Sequence, residues 1–243
     1  MCSRCGDALN VPSSPSLAPH CRVCRLAPPP FVKAVSYGAY QGRTREAIHA
    51  LKYDRLHPAA RGLGQMLAQA IAQLAGEAPA AMLVVPVPLH RSKYAQRGFN
   101  QSRSLAAEAL KFLRMSHPQW HLALAPSTLM RLRATGSQAG LTPRQRRLNL
   151  RGAFAVAEPS QVAERHILLV DDILTTGATA RAAAQALLKA GAASVWVATL
   201  ARAQRAEGFG RGYQQAEASE ELAGQAIEAQ RSDSVIVLGQ PTF

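Results

Sequence analysis

The segment from His166 to Thr179 constrains the fold of this chain more than any other part of the sequence. Near its start, the bulky apolar residues from Ile167 to Val170 predict a short strand that is buried on both faces, as in a parallel sheet. We expect Asp171 and Asp172 to end that strand, and a loop rich in threonine follows them. An alanine-rich stretch over residues 180–190 then predicts an amphipathic helix, which a glycine terminates. The order is therefore strand, acidic pair, small-residue loop and helix.

The loop after the acidic pair contains the groups that bind a phosphate monoester. Hydroxyls, a glycine that lets the backbone come close, and the N–H groups of a helix N-terminus all favour a phosphate. The predicted 5-phosphate-binding residues are Thr175, Thr176, Gly177, Ala178 and Thr179. The two carboxylates would repel that phosphate, so we expect them to bind a neutral diol such as that of a ribose. An ordinary strand-to-helix turn with a doubled N-cap is the alternative.

All four cysteines of the chain lie near its start. They form two Cys-x-x-Cys pairs, Cys2 with Cys5 and Cys21 with Cys24, and fifteen residues separate the pairs. This spacing is typical of a structural zinc site in which each pair supplies two thiolates to one metal ion. Disulfide bonds are the alternative, and a reducing compartment disfavours them.

The rest of the first 203 residues alternates between strand and helix patterns. A strand or a hairpin is predicted over residues 31–40, with Gly38 as its turn or bulge, and further strands are predicted over 81–86 and 194–200. Helices are predicted over residues 43–53, 59–74 and 101 to about 113. This alternation predicts an α/β fold with a doubly wound, mainly parallel sheet and flanking helices. Lys52, at the end of the first helix, is a candidate anion contact.

A loop bracketed by prolines follows the predicted strand over residues 81–86. Such a loop at the carboxyl end of a strand lies where doubly wound sheets bind ligands. It contains Pro88 and Leu89, and Arg91 and Arg97 follow just beyond it. Basic side chains at this place suit an anionic ligand. A plain connection between a loop and a helix is the alternative.

The formal net charge of +13 is unevenly distributed along the chain. Residues 1–203 hold 25 basic and 9 acidic residues, a net charge of +16, and no acid lies between Glu108 and Glu158. A polyanion is the natural partner of such a surface, although a solvated basic face beside a pyrophosphate pocket is the alternative. The candidate DNA contacts in this acid-free region are Arg131, Arg133, Arg144, Arg147 and Arg151. Because aromatic residues make up only 5% of the chain, DNA binding would be mostly electrostatic.

Local patterns beyond residue 130 are weaker. Residues 131–140 are polar, basic and interrupted by glycine, which suits either a mobile lid over a charged substrate or an inert loop. A capping box over residues 142–145 predicts a short helix to about Asn149. In the compositionally different tail, a helix is predicted over about residues 214–230 and a strand over 235–238. No apolar run approaches the roughly 20 residues that a membrane span needs, so we predict a cytoplasmic protein.

The segment from Val170 to Thr179 resembles the phosphoribosyl pyrophosphate signature of type I phosphoribosyltransferases. In those enzymes the acidic pair binds the 2- and 3-hydroxyls of the ribose, and the loop binds the 5-phosphate. Over residues 2–203 the chain is similar to the ComF/GntX family, whose members join a four-cysteine zinc module to such a domain. Beside the signature, the likeness is carried by the two cysteine pairs, Leu51-Lys52-Tyr53, Val85 to His90, Arg97 to Gln101, Gln138 to Gly140, Arg146 to Asn149 and Arg151 to Phe154.

The resemblance implies a type I phosphoribosyltransferase-like fold behind an N-terminal zinc-binding module. The implied domains are a zinc module over residues 1–30, a transferase-type domain over 31–203 and an extension of unknown role over 204–243. The implied ligands are structural zinc, held by the four cysteines, and Mg²⁺ with phosphoribosyl pyrophosphate. Asp171 and Asp172 would bind the ribose, and the loop after residue 86 would bind the pyrophosphate.

Membership would also imply a role in natural competence. ComF-type proteins help incoming single-stranded DNA enter the cytoplasm beside a helicase and a recombination mediator, whereas another branch of the family is associated with gluconate utilisation. The alternative function is an active phosphoribosyltransferase with an unidentified acceptor. Thr175 stands where purine-salvage enzymes often carry an aspartate, which argues against hypoxanthine or guanine as that acceptor.

Overall fold

Five parallel strands form the central sheet of the protein in a computed structural model, which describes residues 1–9, 19–53, 57–133, 145 and 150–203. The strands are β1 (Ala34–Ala39), β2 (Ala81–Pro86), β3 (His121–Leu124), β6 (His166–Leu174) and β7 (Ser194–Arg202). They lie in the order β1-β7-β6-β2-β3, and every neighbouring pair is parallel. The predicted α/β class with a mainly parallel sheet is confirmed.

Helices cover both faces of this sheet. They are α2 (Gly42–Tyr53), α3 (His57–Ala72), α5 (Gln101–Ser116) and α6 (Ala178–Lys189), together with the short α4 (Arg91–Arg97). Adjacent residues of β6 point to opposite faces. Leu168 is accordingly buried with Leu67 of α3, whereas Ile167 is buried with Leu187 of α6. Within the described residues, no helix has the length and apolarity that crossing a membrane requires.

Strand β6 extends beyond its predicted end. The sequence predicts that Asp171 and Asp172 end the strand, but both lie within it and the strand continues to Leu174. The reason is its pairing with the equally long β7, in which Asp171 is the register partner of Thr199. Backbone hydrogen bonds to a neighbouring strand do not depend on side-chain polarity, so the acidic pair does not interrupt them.

Two further local features differ from the predictions. Gly38 is not at a turn or bulge, because it pairs with Ala201 inside β1. Helix α4 was not predicted because it buries no residue and therefore has no apolar periodicity. Its first turn is instead capped by the His90 side chain, which accepts a hydrogen bond from the Ser92 N–H group.

A two-stranded antiparallel sheet was also not predicted. Its strands are β4 (Leu129–Arg131) and β5 (Phe154–Val156), and three residues are too few to show an alternating pattern. Leu129 and Phe154 are buried with residues of α6. The helix predicted to end at Asn149, most of the predicted lid and both elements predicted in the tail lie outside the described residues.

The two cysteine pairs meet at the amino-terminal end of the chain, where α1 (Arg22–Leu26) contains Cys24. Gly6, just after the first pair, has a φ of 66°, a left-handed conformation that favours glycine. The C=O group of Arg4 accepts a hydrogen bond from the N–H group of Ala34 at 2.9 Å. The cysteine cluster therefore packs beside the start of β1.

Candidate functional site

The acidic pair lies near the carboxyl edge of the sheet, next to the end of β2. The N–H group of Val87 donates to the C=O group of Val170 at 2.8 Å, which brings the loop after β2 beside Asp171. The predicted phosphate loop leaves the same edge, directly after β6. Parallel strands all end at one edge of a sheet, which is where such folds bind ligands. The structure thus brings the predicted ribose, phosphate and pyrophosphate residues together.

Asp172 forms a buried ion pair with Lys52 of α2. The Lys52 Nζ and Asp172 Oδ2 atoms lie 2.8 Å apart, and the side chains are 18% and 8% exposed. Burial raises the pKa of Asp172, but the charge of Lys52 and its hydrogen bond outweigh burial, so the net pKa is lowered. Burial likewise opposes the charged form of Lys52, yet attraction to Asp172 raises its pKa overall. The anion that Lys52 contacts in this structure is therefore Asp172.

Asp171 titrates differently from its neighbour. Its Oδ1 atom accepts hydrogen bonds from the Ser102 hydroxyl at 3.1 Å and from the Asp172 N–H group at 2.9 Å. Burial, and then the charge of Asp172, raise the pKa of Asp171 from 3.8 to about 7 despite these bonds. Near neutral pH, Asp171 can therefore gain or lose a proton while Asp172 stays ionised.

Two arginines add positive charge around the acidic pair. The charge of Arg97 helps to lower the pKa of Asp172. The guanidinium carbon of Arg131 lies 5.6 Å from the centroid of the Phe154 ring, and this half-buried group is attracted to Asp171. Arg131, which is also a predicted DNA contact, is thus near enough to the acidic pair to interact with the charge of Asp171.

The predicted phosphate loop joins β6 to α6. Gly177 is the N-cap residue of α6 and has a φ of 76°, a conformation that disfavours a side chain. The N–H group of Ala178 lies 3.4 Å from the Thr176 hydroxyl oxygen, which can accept its hydrogen bond. Thr175, Thr176 and Thr179 are only partly buried. The first-turn N–H groups of a helix have no helical carbonyl to bind, so this loop presents the donors that an anion requires.

The predicted pyrophosphate residues lie in the loop after β2 and at the two ends of α4. Pro88 and Leu89 are half-buried, and Arg91 at the start of α4 is exposed. The Asn100 side-chain amide donates to the C=O group of Val87 at 3.0 Å and also caps α5 through its oxygen. This bond ties the start of the proline loop to the helix that carries Ser102.

The four cysteines form a site that could hold a metal ion. Their sulfur atoms all lie within 4.8 Å of one another, and the Cys5 and Cys21 sulfurs are 3.7 Å apart. Zinc–sulfur bonds of about 2.3 Å in a tetrahedron place sulfurs about 3.8 Å apart, so this spacing fits zinc. A hydrogen bond from Cys24 lowers the pKa of Cys5 to about 5, and the same contact raises the pKa of Cys24. Four thiolates cannot form this close together unless a cation neutralises them.

The remaining candidate DNA contacts divide into two groups. Arg133 and Arg151 are both exposed, and the Arg133 guanidinium donates a hydrogen bond to the backbone C=O group of Arg151. Arg144 and Arg147 lie outside the described residues. The structure therefore brings two of the five arginines together at the surface.

Sequence reasoning missed three buried polar residues at this edge. Gln101 and Ser102 of α5 and Arg202 of β7 are 5%, 1% and 4% exposed. The first two follow Asn100, the N-cap residue of α5, a helix in which the sequence predicted no site residue. Arg202 ends an otherwise apolar strand, and a charged residue at that position was the available signal.

Replacing Lys52 with methionine tests the buried ion pair. Lys52→Met leaves Asp172 buried without this counter-ion, so we expect the free energy of unfolding at pH 8 to fall by roughly 3–5 kcal/mol. Burial then raises the folded-state pKa of Asp172 above its unfolded value, and the folded protein takes up a proton as the pH falls. The loss should therefore shrink toward pH 5, which urea denaturation at the two pH values would measure.

Lys111 provides the matched control. Its Nζ atom lies 2.6 Å from Glu108 Oε1 on the surface of α5, and its side chain is 66% exposed. Lys111→Met should change the free energy of unfolding by less than about 1 kcal/mol. Equal losses for the two variants, or a loss in Lys52→Met that is the same at both pH values, would contradict the buried pair.

Parts of this chain are similar to known proteins. A family model described as "Phosphoribosyl transferase domain" matches residues 131–233. Among solved structures, the allosteric regulatory enzyme of purine biosynthesis is 22% identical, with a TM-score of 0.35 over 59% of this chain and 25% of that chain.

Curated relatives match most of the chain. DNA utilization protein YhgH of Salmonella typhi is 35% identical over 204 residues, which cover 83% of this chain and 84% of that protein. Competence protein F of Haemophilus influenzae is 29% identical over 205 residues, with the same coverage of both chains. The chain belongs to the ComF/GntX family of phosphoribosyltransferase-type proteins.

Proposed function

We propose that this protein binds phosphoribosyl pyrophosphate with Mg²⁺ at the carboxyl edge of its sheet and handles single-stranded DNA in natural competence. The observation that carries the first part is the pair of adjacent carboxylates at this edge, of which Asp172 is buried and Asp171 is partly buried. Asp172 is neutralised by Lys52 at 2.8 Å, whereas the pKa of Asp171 is raised to about 7. Purely structural carboxylates gain nothing from being buried side by side, because each opposes the ionisation of the other.

The acidic pair suits a ribose diol. Carboxylate oxygens accept hydrogen bonds from both hydroxyls, and a neutral diol adds no charge to a site that already holds two acids. In this proposal Asp171 and Asp172 bind the ribose, and the loop from Thr175 to Thr179 binds the 5-phosphate. The loop supplies helix N–H groups and hydroxyls, and its carboxylate-free composition keeps repulsion low.

The pyrophosphate would lie beside the loop after β2, with Pro88, Leu89, Arg91 and Arg97 around it. Arg97 is close enough to the acidic pair for its charge to lower the pKa of Asp172, so one guanidinium can face both groups. Mg²⁺ prefers oxygen ligands, and the Asp171 carboxylate beside the phosphate oxygens of the ligand fits that preference. Bound Mg²⁺ would offset the negative charge of the pyrophosphate.

The DNA part of the proposal is supported by the relatives' names and by surface charge. The relatives are named for DNA utilization and for competence. Arg133 and Arg151 are neighbouring exposed cations in this structure, and Arg144 and Arg147 remain predicted contacts. Arg131 is reassigned to the phosphoribosyl pyrophosphate site because it is attracted to Asp171. A competence helicase and a recombination mediator are the proposed protein partners.

Calorimetric titration of Mg²⁺ and phosphoribosyl pyrophosphate into the zinc-loaded protein tests the ligand. We expect Asp171→Asn combined with Asp172→Asn to weaken binding by about 100-fold or more, because two hydrogen bonds to charged acceptors are lost. Circular dichroism would establish that the variant is folded. Glu77→Gln, which changes a carboxylate 56% exposed and paired with Lys33, should leave the affinity unchanged. Equal affinities for the wild type and the double variant would refute the site.

Salt titration of single-stranded oligonucleotide binding tests the DNA surface. Each phosphate contact to a single strand contributes about −0.7 to the slope of log K against log salt. Arg133→Ala combined with Arg151→Ala should therefore make the slope less negative by about 1.4. Arg114, near the end of α5, and Arg165, just before β6, are exposed near the edge at which the strands begin. The same change at these two arginines should leave the slope as it is. If both double variants shifted the slope equally, the binding would be spread over the whole surface.

A further inference from the structure

Arg202, the last residue of β7, is a buried cation outside the acidic site. Its side chain is 5% exposed, and its guanidinium group bonds almost entirely to backbone oxygens. A buried guanidinium is costly to desolvate, so it persists where its N–H donors are satisfied. The identity of its acceptors therefore indicates what the residue holds in place.

The acceptors of Arg202 come from both sites of the protein. On the cysteine side, Nε donates to the C=O group of Cys5 at 3.2 Å, and an Nη2 atom lies 3.3 Å from Asp7 Oδ1. On the other side, Nη1 donates to the C=O group of Leu174 at 2.7 Å and to that of Thr175. One side chain thus joins the first cysteine pair to the start of the phosphate loop.

The bonds to Leu174 and Thr175 orient the N–H groups of the loop. In a trans peptide the C=O group and the following N–H group point in opposite directions, and no cis peptide occurs in the described residues. Both carbonyls point toward Arg202, so the N–H groups of Thr175 and Thr176 point away from it. The Ala203 N–H group also donates to the Leu174 C=O group at 3.0 Å, so the Thr175 C=O group is the one that depends most on Arg202. These are the donors that the proposed phosphate would use.

The cysteine pair in turn positions the groups that Arg202 binds. The N–H group of Cys2 donates to the C=O group of Asp7 at 2.7 Å, and Gly6 N–H donates to the C=O group of Cys2 at 2.9 Å. This tight turn holds Cys2 and Cys5 at the metal site and presents Cys5 C=O and Asp7 to Arg202. Loss of the metal would free the turn and so remove the support of the guanidinium.

A small cavity shows how near the two sites are. Its lining includes Arg202 and residues of both sites, which are Cys5, Cys24, Leu174, Thr176 and Gly177. Arg181 makes a second junction by donating to the C=O groups of Ala27 and Pro28 at 2.6 and 3.1 Å. These bonds run to carbonyls at the end of the cysteine region and not to those of Leu174 and Thr175, so Arg181 offers a matched control for Arg202.

We propose that Arg202 is a positioning residue that couples the metal state of the four-cysteine site to the geometry of the 5-phosphate loop. The proposal rests on the proposed function for its ligand, since the loop is assigned there to the 5-phosphate. The coupling gives the zinc module a role in ligand binding through one guanidinium. The module would then be more than an independently folded appendage.

Amide hydrogen exchange tests the coupling without any ligand. We expect removal of zinc by a chelator to speed exchange of the amides of residues 175–178 by about 10-fold or more, while β2 keeps its protection. Unchanged loop exchange in the metal-free protein would overturn the proposal. Should metal removal unfold the whole chain, the zinc-loaded Arg202→Lys variant decides, because it loses the planar fork but keeps the charge.

Ligand fragments test the positioning role. In zinc-loaded Arg202→Lys, ribose 5-phosphate should bind about 10-fold more weakly, and Arg202→Gln should be weaker still. Inorganic pyrophosphate should bind all three proteins alike, because its proposed residues lie on the other loop. Arg181→Gln should lower the midpoint of thermal unfolding and leave ribose 5-phosphate binding unchanged.

The proposed function and the coupling through Arg202 can be refuted separately. A zinc-loaded wild type that binds no ribose 5-phosphate would refute the proposed function, while the exchange experiment would still judge the coupling. If Arg202→Lys lowered thermal stability but left both ribose 5-phosphate affinity and loop exchange at wild-type values, Arg202 would be structural and the coupling refuted.

Discussion

The ion pair between Lys52 and Asp172 is the contact on which the site depends. It joins α2 to β6 inside the protein, where neither charge could remain without the other. A buried pair of this kind adds little net stability, because desolvation of the two groups offsets most of their attraction. The pair also keeps Asp172 ionised, and burial followed by the charge of Asp172 raises the pKa of the neighbouring Asp171 to about 7. The fold thus keeps charged groups that are unfavourable to desolvate at the edge where its strands end.

Much of this site could be predicted from local sequence. The apolar run before Asp171, the small-residue loop and the helix after it are adjacent in the chain, so one segment of the sequence carries the whole signature. The two cysteine pairs were visible for the same reason, and the structure clusters their sulfurs within 4.8 Å. The strand end was wrong because pairing with β7, and not polarity, decides where β6 stops.

The partners of these residues could not be predicted because they come from distant parts of the chain. Ser102 lies 69 residues from Asp171, and Arg202 lies 197 residues from Cys5. Such contacts depend on how helices and strands are arranged, which no local pattern encodes. The same holds for charge. Three of the basic residues that make the net charge positive, Lys52, Arg131 and Arg202, interact with carboxylates or carbonyls of the protein itself. The net charge therefore overstates the positive surface that a polyanion could contact.

The central claim is that two adjacent carboxylates hold different charge states, and carbon NMR titration of the aspartate carboxyl groups tests it most directly. The account predicts that Asp171 titrates near pH 7, well above its ordinary 3.8, and that Asp172 stays ionised to below 3.8. Because the pKa of Asp171 is higher in the folded than in the unfolded state, the free energy of unfolding should fall as the pH rises from 3.8 to about 7. Two aspartates that titrated together near pH 4 would contradict the buried, lysine-held pair and the binding site built on it.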